Sequence, residues 1–356
     1  MSLEKIKNTF CQFEITSEFV SYKELVSGHI NNTYLIETTQ KPFYVLQQLN
    51  HAVFKDIVGL TANKVKVSAH LKTTSSYASL DFIAAKNGNY YYQDTKGDYW
   101  NLMIFLEDSI TFDVVPNTEI AFEAGKLFGD FLNATANFDA TQLIETIPDF
   151  HNMEFRFWQF DEALKTASEE RKELAKNQLK RVESLREEML ILHQLKKSGK
   201  IRLIVTHNDT KVSNALFTQN NKGLCVIDLD TVMPGIIHYD FGDAIRTICT
   251  TAKEDETDLS KVKFNLSYFE SFTKGFLSEV SNSISNFEAQ YLPLSAKAIT
   301  FIMALRMLTD FLNNDTYYKT AYPLHNLDRV KNQLQLIEEM ELVFEEMKEV
   351  VTQCLG

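Results

Sequence analysis

Apolar and polar positions alternate with a period of two in several short runs of the first hundred residues. Residues 34–37 and 43–48 read as strands joined across 38–42, and residues 90–93 and 99–105 as a second pair joined across 94–98. Between the pairs the period changes. Phe54, Ile57, Val58, Ala62 and Val65 recur at helical intervals, which predicts a helix with Asp56, Asn63 and Lys66 toward solvent. After residue 118 the helical period dominates: Ile120, Ala124, Leu127, Phe128 and Phe131 form one stripe, with Thr118 as the expected N-cap. The charged segment 154–199 carries Val182, Leu185, Met189 and Leu192 at steps of three, four and three, ending at Gly199, so its charges form a solvated face. Phe264, Tyr268, Phe272 and Phe276 recur every fourth residue, a stripe expected in the core, and residues 292–312 and 327–347 are helical. The pattern predicts an α+β protein with a small β-rich lobe, a larger helical lobe and its site in the cleft between them.

One stretch, residues 201–246, breaks the pattern with a concentration of polar chemistry. Residues 201–205 read as a buried strand that delivers His207, Asn208 and Asp209 into a loop. Two further apolar runs, 215–217 and 224–227, flank the turn-rich residues 218–223 and read as a hairpin. Folding back at Asn221 and Lys222 sets Asn214 nearly opposite Asp228, five residues after Asp209 in the case of Asn214. Phosphoryl transfer needs this set: a carboxylate to receive the hydroxyl proton and two oxygen ligands to hold Mg²⁺ on nucleotide phosphates. Asp230, on the same side as Asp228 if the strand continues, is the rival ligand.

Composition narrows the classes. With 356 residues, 44% of them hydrophobic, the chain is too long for one small core, so two lobes are expected. A net charge of -12 argues against nucleic-acid or anionic-membrane partners. Cys11, Cys225, Cys249 and Cys354 form no CxxC pair, which fits reduced thiols. Without an apolar leader or an apolar run of about 20 residues, a soluble cytoplasmic protein is expected.

The segment HNDTKVSN resembles the catalytic loop of the protein-kinase-like phosphotransferases, and VIDLD resembles their metal-binding Asp segment. Together with IDLDTVMPG and YDFGDAIR they resemble the N-acetylhexosamine 1-kinase branch of the aminoglycoside phosphotransferase and choline kinase family. The resemblance implies a bilobal kinase-like fold, with residues 1–107 as a nucleotide-binding lobe ending in the hinge and 108–356 as the helical lobe with catalytic loop and acceptor site. It implies ATP and Mg²⁺, with Asp209 as catalytic base, Asn214 and Asp228 as metal ligands and Asp240 as the acid that tethers the loop. Residues 27–33, with Gly28, His29 and Asn31, match the loop over the nucleotide, and residues 101–108, with Phe105 and Leu106, match the hinge on adenine.

The family's lysine on the third strand is missing. The run FYVLQQL carries Gln47 and Gln48 instead, and Lys41 and Lys55 are the nearest substitutes in sequence. For the acceptor, His29, Asp209, Arg246, Arg306, Asp310 and Tyr317 offer the mixture of hydrogen-bonding groups and an aromatic face that a sugar needs. Arg306 and Asp310 are four apart in an otherwise apolar run and are expected to pair, Asp310 holding the guanidinium against sugar oxygens. Three classes stay open: a sugar 1-kinase, a kinase of an amino alcohol or aminoglycoside, and a non-catalytic pseudokinase.

Overall fold

Strands rich in Tyr, Ile, Val and Leu, set out as alternation predicts, build one antiparallel sheet in the N-terminal part of the chain. The computed structural model describes residues 1–25 and 30–355. Helix α1 (Leu3–Phe10) precedes β1 (Phe19–Leu25), β2 (Asn32–Thr38) and β3 (Tyr44–Leu49); α2 (Ile57–Thr74) follows, then β4 (Phe82–Ile83), β5 (Tyr92–Gln93) and β6 (Tyr99–Ile104). The strands run β1-β2-β3-β6-β4, with β5 also on β6. One face buries Tyr34, Ile36, Tyr44, Leu46, Trp100 and Leu102 against Ile6 and Phe10 of α1. On the other face Val45 and Met103 pack with Val67 and Leu71 of α2.

Helix α2 is turned differently from the face its apolar residues predict. Its buried positions include Asn63, Lys64 and Ser68, whereas Val58 is exposed. Polar residues can be buried here because they find partners: Asn63 donates to the carbonyls of Ile144 and Val232, Lys64 pairs with Asp230, and Ser68 donates to the Leu80 carbonyl. Asn63, expected in solvent, is thus a buried strut.

The chain then passes through β7 (Ser109–Ile110) to α3 (Thr118–Ala134), capped by Asn117 rather than Thr118. Helices α4 (Met153–Thr166), α5 (Glu169–Leu174) and α6 (Lys176–Lys197) follow; the predicted stripe Val182, Leu185, Met189 and Leu192 is buried, and Gly199 stops the segment at φ +71°. Strands β8 (Ile204–Thr206), β9 (Ala215–Thr218), β10 (Gly223–Val226) and β11 (Met233–Gly235) frame the polar stretch. They make two small antiparallel sheets, β10-β9-β7 and β11-β8. The rest is helical: α7 (Ile237–Ile248), α8 (Leu266–Val280), α9 (Asn286–Ala289), α10 (Leu292–Leu312), α11 (His325–Leu342) and α12 (Phe344–Leu355).

Half of the expected aromatic stripe is core: Phe272 and Phe276 of α8 pack on Phe241 of α7, whereas Tyr268 is half-buried and Phe264 lies before the helix. Helices α3 and α8 meet at glycine: a Cβ on Gly125 would lie 2.2 Å from the Phe272 carbonyl oxygen, and one on Gly275 would lie 2.1 Å from that of Phe122. Helix α10 is long and apolar enough to cross a membrane by length and composition, a run the sequence was not expected to contain; 83% of its apolar window is buried in the protein.

Candidate active site

Strands β8 and β11 pair Thr206 with Met233, so the loop that follows β8 leaves from the middle of the molecule. Asp240, at the start of α7, accepts the backbone N–H of His207 at 2.8 Å and of Asn208 at 2.7 Å. Burial pushes its carboxyl up to about 6, against the pull of His207 and of those two N–H groups. Asn208 is left-handed, φ 65°, and its side chain locks that conformation by donating to the carbonyls of Thr206 and Thr231. The His207 ring, fully buried, meets the edges of Phe128 and Phe131. Its Nε2 bonds the Ile227 carbonyl and its Nδ1 accepts from the Asp209 N–H, which fixes which nitrogen carries the hydrogen. His207 is a packing and orienting residue.

Asp209 is thereby presented at the loop's tip. Lys211 Nζ lies 2.7 Å from Asp209 Oδ2, and Asn214 Nδ2 donates at 2.8 Å to both Oδ2 and the carbonyl of Asp209. Burial alone would raise the Asp209 carboxyl, but Lys211, His207 and Asn214 hold it below the usual carboxylate range, so it is ionised at neutral pH. Lys211 was inside the recognised motif, yet its role was not foreseen.

The hairpin brings Asp228 to the same place, with a slip in register. Cys225 faces Leu216 and Val226 faces Ala215, so Ile227 rather than Asp228 meets Asn214, its N–H donating to the Asn214 carbonyl at 2.9 Å. The cause is an irregularity between Gly223 and Cys225. Asp228 then turns out of the strand with φ 62°. Its carboxyl accepts no hydrogen bond among the described residues, and burial, with Asp230 and Asp209 nearby, pushes it up to about 7. A half-buried carboxyl among like charges fits a hard cation, and the amide oxygen of Asn214 is the matching neutral donor. No three His, Cys, Asp or Glu side chains among the described residues gather into a cage of their own. Mg²⁺ commonly binds through one or two carboxylates plus substrate phosphates.

Asp230 is committed elsewhere. It accepts from Asn31 Nδ2 at 2.6 Å and pairs with Lys64, the two charged side chains being 5% and 1% exposed. Asn31 therefore ties the segment before β2 to the acidic cluster. Gly28 and His29 lie outside the described residues. Phe105 and Leu106, expected at the hinge, are half-buried where β6 ends, and the Phe105 N–H donates to the Phe43 carbonyl. Lys41 is paired with Glu107 at the surface and Lys55 is exposed, so neither substitute reaches the cluster. The buried cation is Lys64, which a search for apolar stripes along α2 conceals.

On the acceptor side, Arg306 and Asp310 do not pair. Asp310 accepts the backbone N–H of Tyr317 at 2.8 Å and of Tyr318 at 3.0 Å and the Asn326 amide at 2.9 Å, so it shapes the turn after α10. The Arg306 guanidinium instead lies 5.3 Å from the Phe150 ring and 5.8 Å from that of Tyr318, and among the described residues its one hydrogen-bond contact is Met303 Sδ. Tyr317 is 69% exposed. Tyr318 beside it is half-buried, and its hydroxyl is buried with no partner among the described residues. His151, whose ring nitrogens have no partner among the described residues, lies tilted against Tyr239 with ring centroids 4.8 Å apart. Burial, then Arg306, Arg156 and Lys196, push it well below its ordinary value. Arg246, in contrast, is spent on Asp243 and Glu254. No spacing in the sequence points to Phe150, His151 or Tyr318, which come from loops distant in sequence.

The sequence model of the phosphotransferase enzyme family APH matches residues 21–258, well over half of the chain, including the catalytic loop and both hairpin acids. The chain belongs to that family. Among solved structures, this phosphotransferase is similar to an aminoglycoside phosphotransferase from Alicyclobacillus acidocaldarius (TM-score 0.63, 11% identity, 97% of this chain and 96% of that one). It is also similar to a microcompartment-associated aminopropanol kinase (0.61, 14%, 98% and 99%) and to a choline kinase from Cryptosporidium parvum (0.57, 15%, 100% of both). The phosphotransferase has the expected α+β kinase-like fold, β-rich at its N-terminus and helical beyond.

Proposed function

We propose that this phosphotransferase moves the γ-phosphoryl group of ATP to the anomeric hydroxyl of an N-acetylhexosamine, giving the sugar 1-phosphate and ADP. Residues 1–107 serve as the nucleotide lobe, with Asn31, Phe105 and Leu106 toward the nucleotide, and residues 108–356 carry the catalytic loop and acceptor site. Asp209 accepts the proton of the attacking hydroxyl; the acceptor oxygen bonds to the γ-phosphorus as the bond to the bridging oxygen of ADP breaks. Asn214 and Asp228 hold Mg²⁺, which supplies charge neutralisation on the phosphates. The free thiols Cys11, Cys225, Cys249 and Cys354 suit a reducing cytoplasm.

One observation carries the choice of acceptor. The Arg306 guanidinium has no carboxylate partner among the described residues and is grouped with Arg156 and His151. Such a group repels an ammonium and suits the hydroxyl, carbonyl and ring oxygens of an uncharged sugar, with Phe150 and Tyr318 beside them. An acceptor panel with ATP and Mg²⁺ tests this: N-acetylhexosamines should be turned over, with ethanolamine, choline and aminoglycosides poor. Arg306→Lys should raise KM for the sugar roughly tenfold or more and leave KM for ATP unchanged. Turnover of a cationic acceptor alone, or none with any acceptor, would overturn the reading.

A further inference from the structure

We propose that Lys64, on α2, is the cation that holds the nucleotide's phosphates, in the place that a lysine on β3 would otherwise fill. The assignment rests on the reading of the site as an ATP-dependent phosphotransferase. Its starting point is charge. A nucleotide polyphosphate must enter a site that already holds the carboxylates of Asp209, Asp228 and Asp230, so ammonium groups are needed beside it. Among the described residues, Lys211 and Lys64 both act on Asp228. Lys211 is paired with Asp209. Lys64 is left, held by Asp230, two residues beyond Asp228, and almost fully buried.

The surroundings match the role. On β3, Val45 packs with Val67 and Leu71, and Leu49 with Ile57 and Leu60, so Gln47, between them by alternation, also faces α2. Leu60 and Lys64 share one face of α2, being one turn apart. Gln47 and Lys64 therefore serve the same space from opposite walls. Polar groups without partners among the described residues border it: both amide atoms of Asn101, paired across from Gln47 on β6 and fully buried, and the hydroxyl of Thr61, one turn before Lys64. Asn31, from the segment that leads into β2, meets Lys64 at the shared acceptor Asp230. A buried ammonium with no function would be a costly way to pack a helix, since an apolar residue could replace it once its carboxylate partner were neutralised.

Binding of ADP with Mg²⁺, measured by titration calorimetry on the full chain, tests this without turnover. Lys64→Met should weaken ADP binding about 10- to 100-fold, as loss of a charge-assisted hydrogen bond implies, and leave adenosine binding unchanged. Gln47→Lys/Lys64→Met, which returns the ammonium to the space from β3, should recover most of that loss. If Lys64→Met fails to fold because Asp230 is left unpaired, Lys64→Met/Asp230→Asn takes its place in the comparison. Wild-type ADP affinity in either folded variant would overturn the assignment and leave the phosphotransferase reading standing. Failure of the wild type to bind ADP would overturn both.

Discussion

Asp228 and Asp230 illustrate how two like residues, two apart, are sorted by their neighbours. Asp230 has two donors, Lys64 and Asn31, whereas Asp228 has none among the described residues and feels both other carboxylates. This asymmetry favours Asp228 as the metal ligand of the proposed reaction and gives a residue-scale prediction. Asp228→Ala should lower kcat by roughly 10³-fold or more, because several kcal/mol of charge stabilisation are lost with the cation. Asn214→Ala should cost less and recover in part at higher Mg²⁺, since an amide contributes only a dipole. An Asp230→Ala enzyme more damaged than Asp228→Ala would reverse the assignment. Asp209, Asn214 and Asp228 were legible in the sequence because one strand, one loop and one hairpin bring them together within twenty residues. Lys64, His151 and Tyr318 were not, because their meeting depends on how separate elements pack, and Asp310 was misread because spacing along a helix says nothing about competing backbone donors in the next turn.

At the scale of elements, helices with a single-sided apolar stripe were read well and the mixed helix was read badly. The stripes of α3 and α6 are buried faces and α8 buries Phe272 and Phe276, whereas α2 buries polar residues, Asn63, Lys64 and Ser68 among them, and its exposed Val58 was counted as core. Hairpin register was read to within one residue, the slip coming from an irregularity that no hydrophobic pattern records. The tightest element contact is that of α3 with α8 at Gly125 and Gly275. Alanine normally favours a helix over glycine by about 1 kcal/mol. At Gly125 the backbone of α8 occupies the space of a Cβ, so Gly125→Ala should be net destabilising by about 1–3 kcal/mol. Chemical denaturation of the variant checks this, and a stabilised protein would show that the two helices do not approach so closely.

Across the whole molecule, buried histidines couple stability to pH. Burial pushes His238, whose Nε2 bonds the Glu288 carbonyl at 2.8 Å, down to about 4 from its ordinary 6.5. The unfolded chain therefore binds a proton between pH 6.5 and 4 that the folded one refuses, so this contribution is complete above about 6.5 and is lost as pH falls through the window. It amounts to about 3 kcal/mol at most, and His151 acts in the same direction. Denaturant midpoints at pH 7.5 and 5 should differ less in His238→Gln than in the wild type; an equal difference would show that His238 is not held neutral. The molecule's central feature, however, is the loop that Asp240 and His207 hold so that Asp209 stands ionised beside Asn214 and Lys211. The most direct test is the kcat of Asp209→Asn with N-acetylhexosamine, ATP and Mg²⁺, read beside its ADP affinity. Turnover should fall by about 10² to 10⁴-fold with ADP binding retained; near-wild-type turnover would contradict a catalytic base at Asp209.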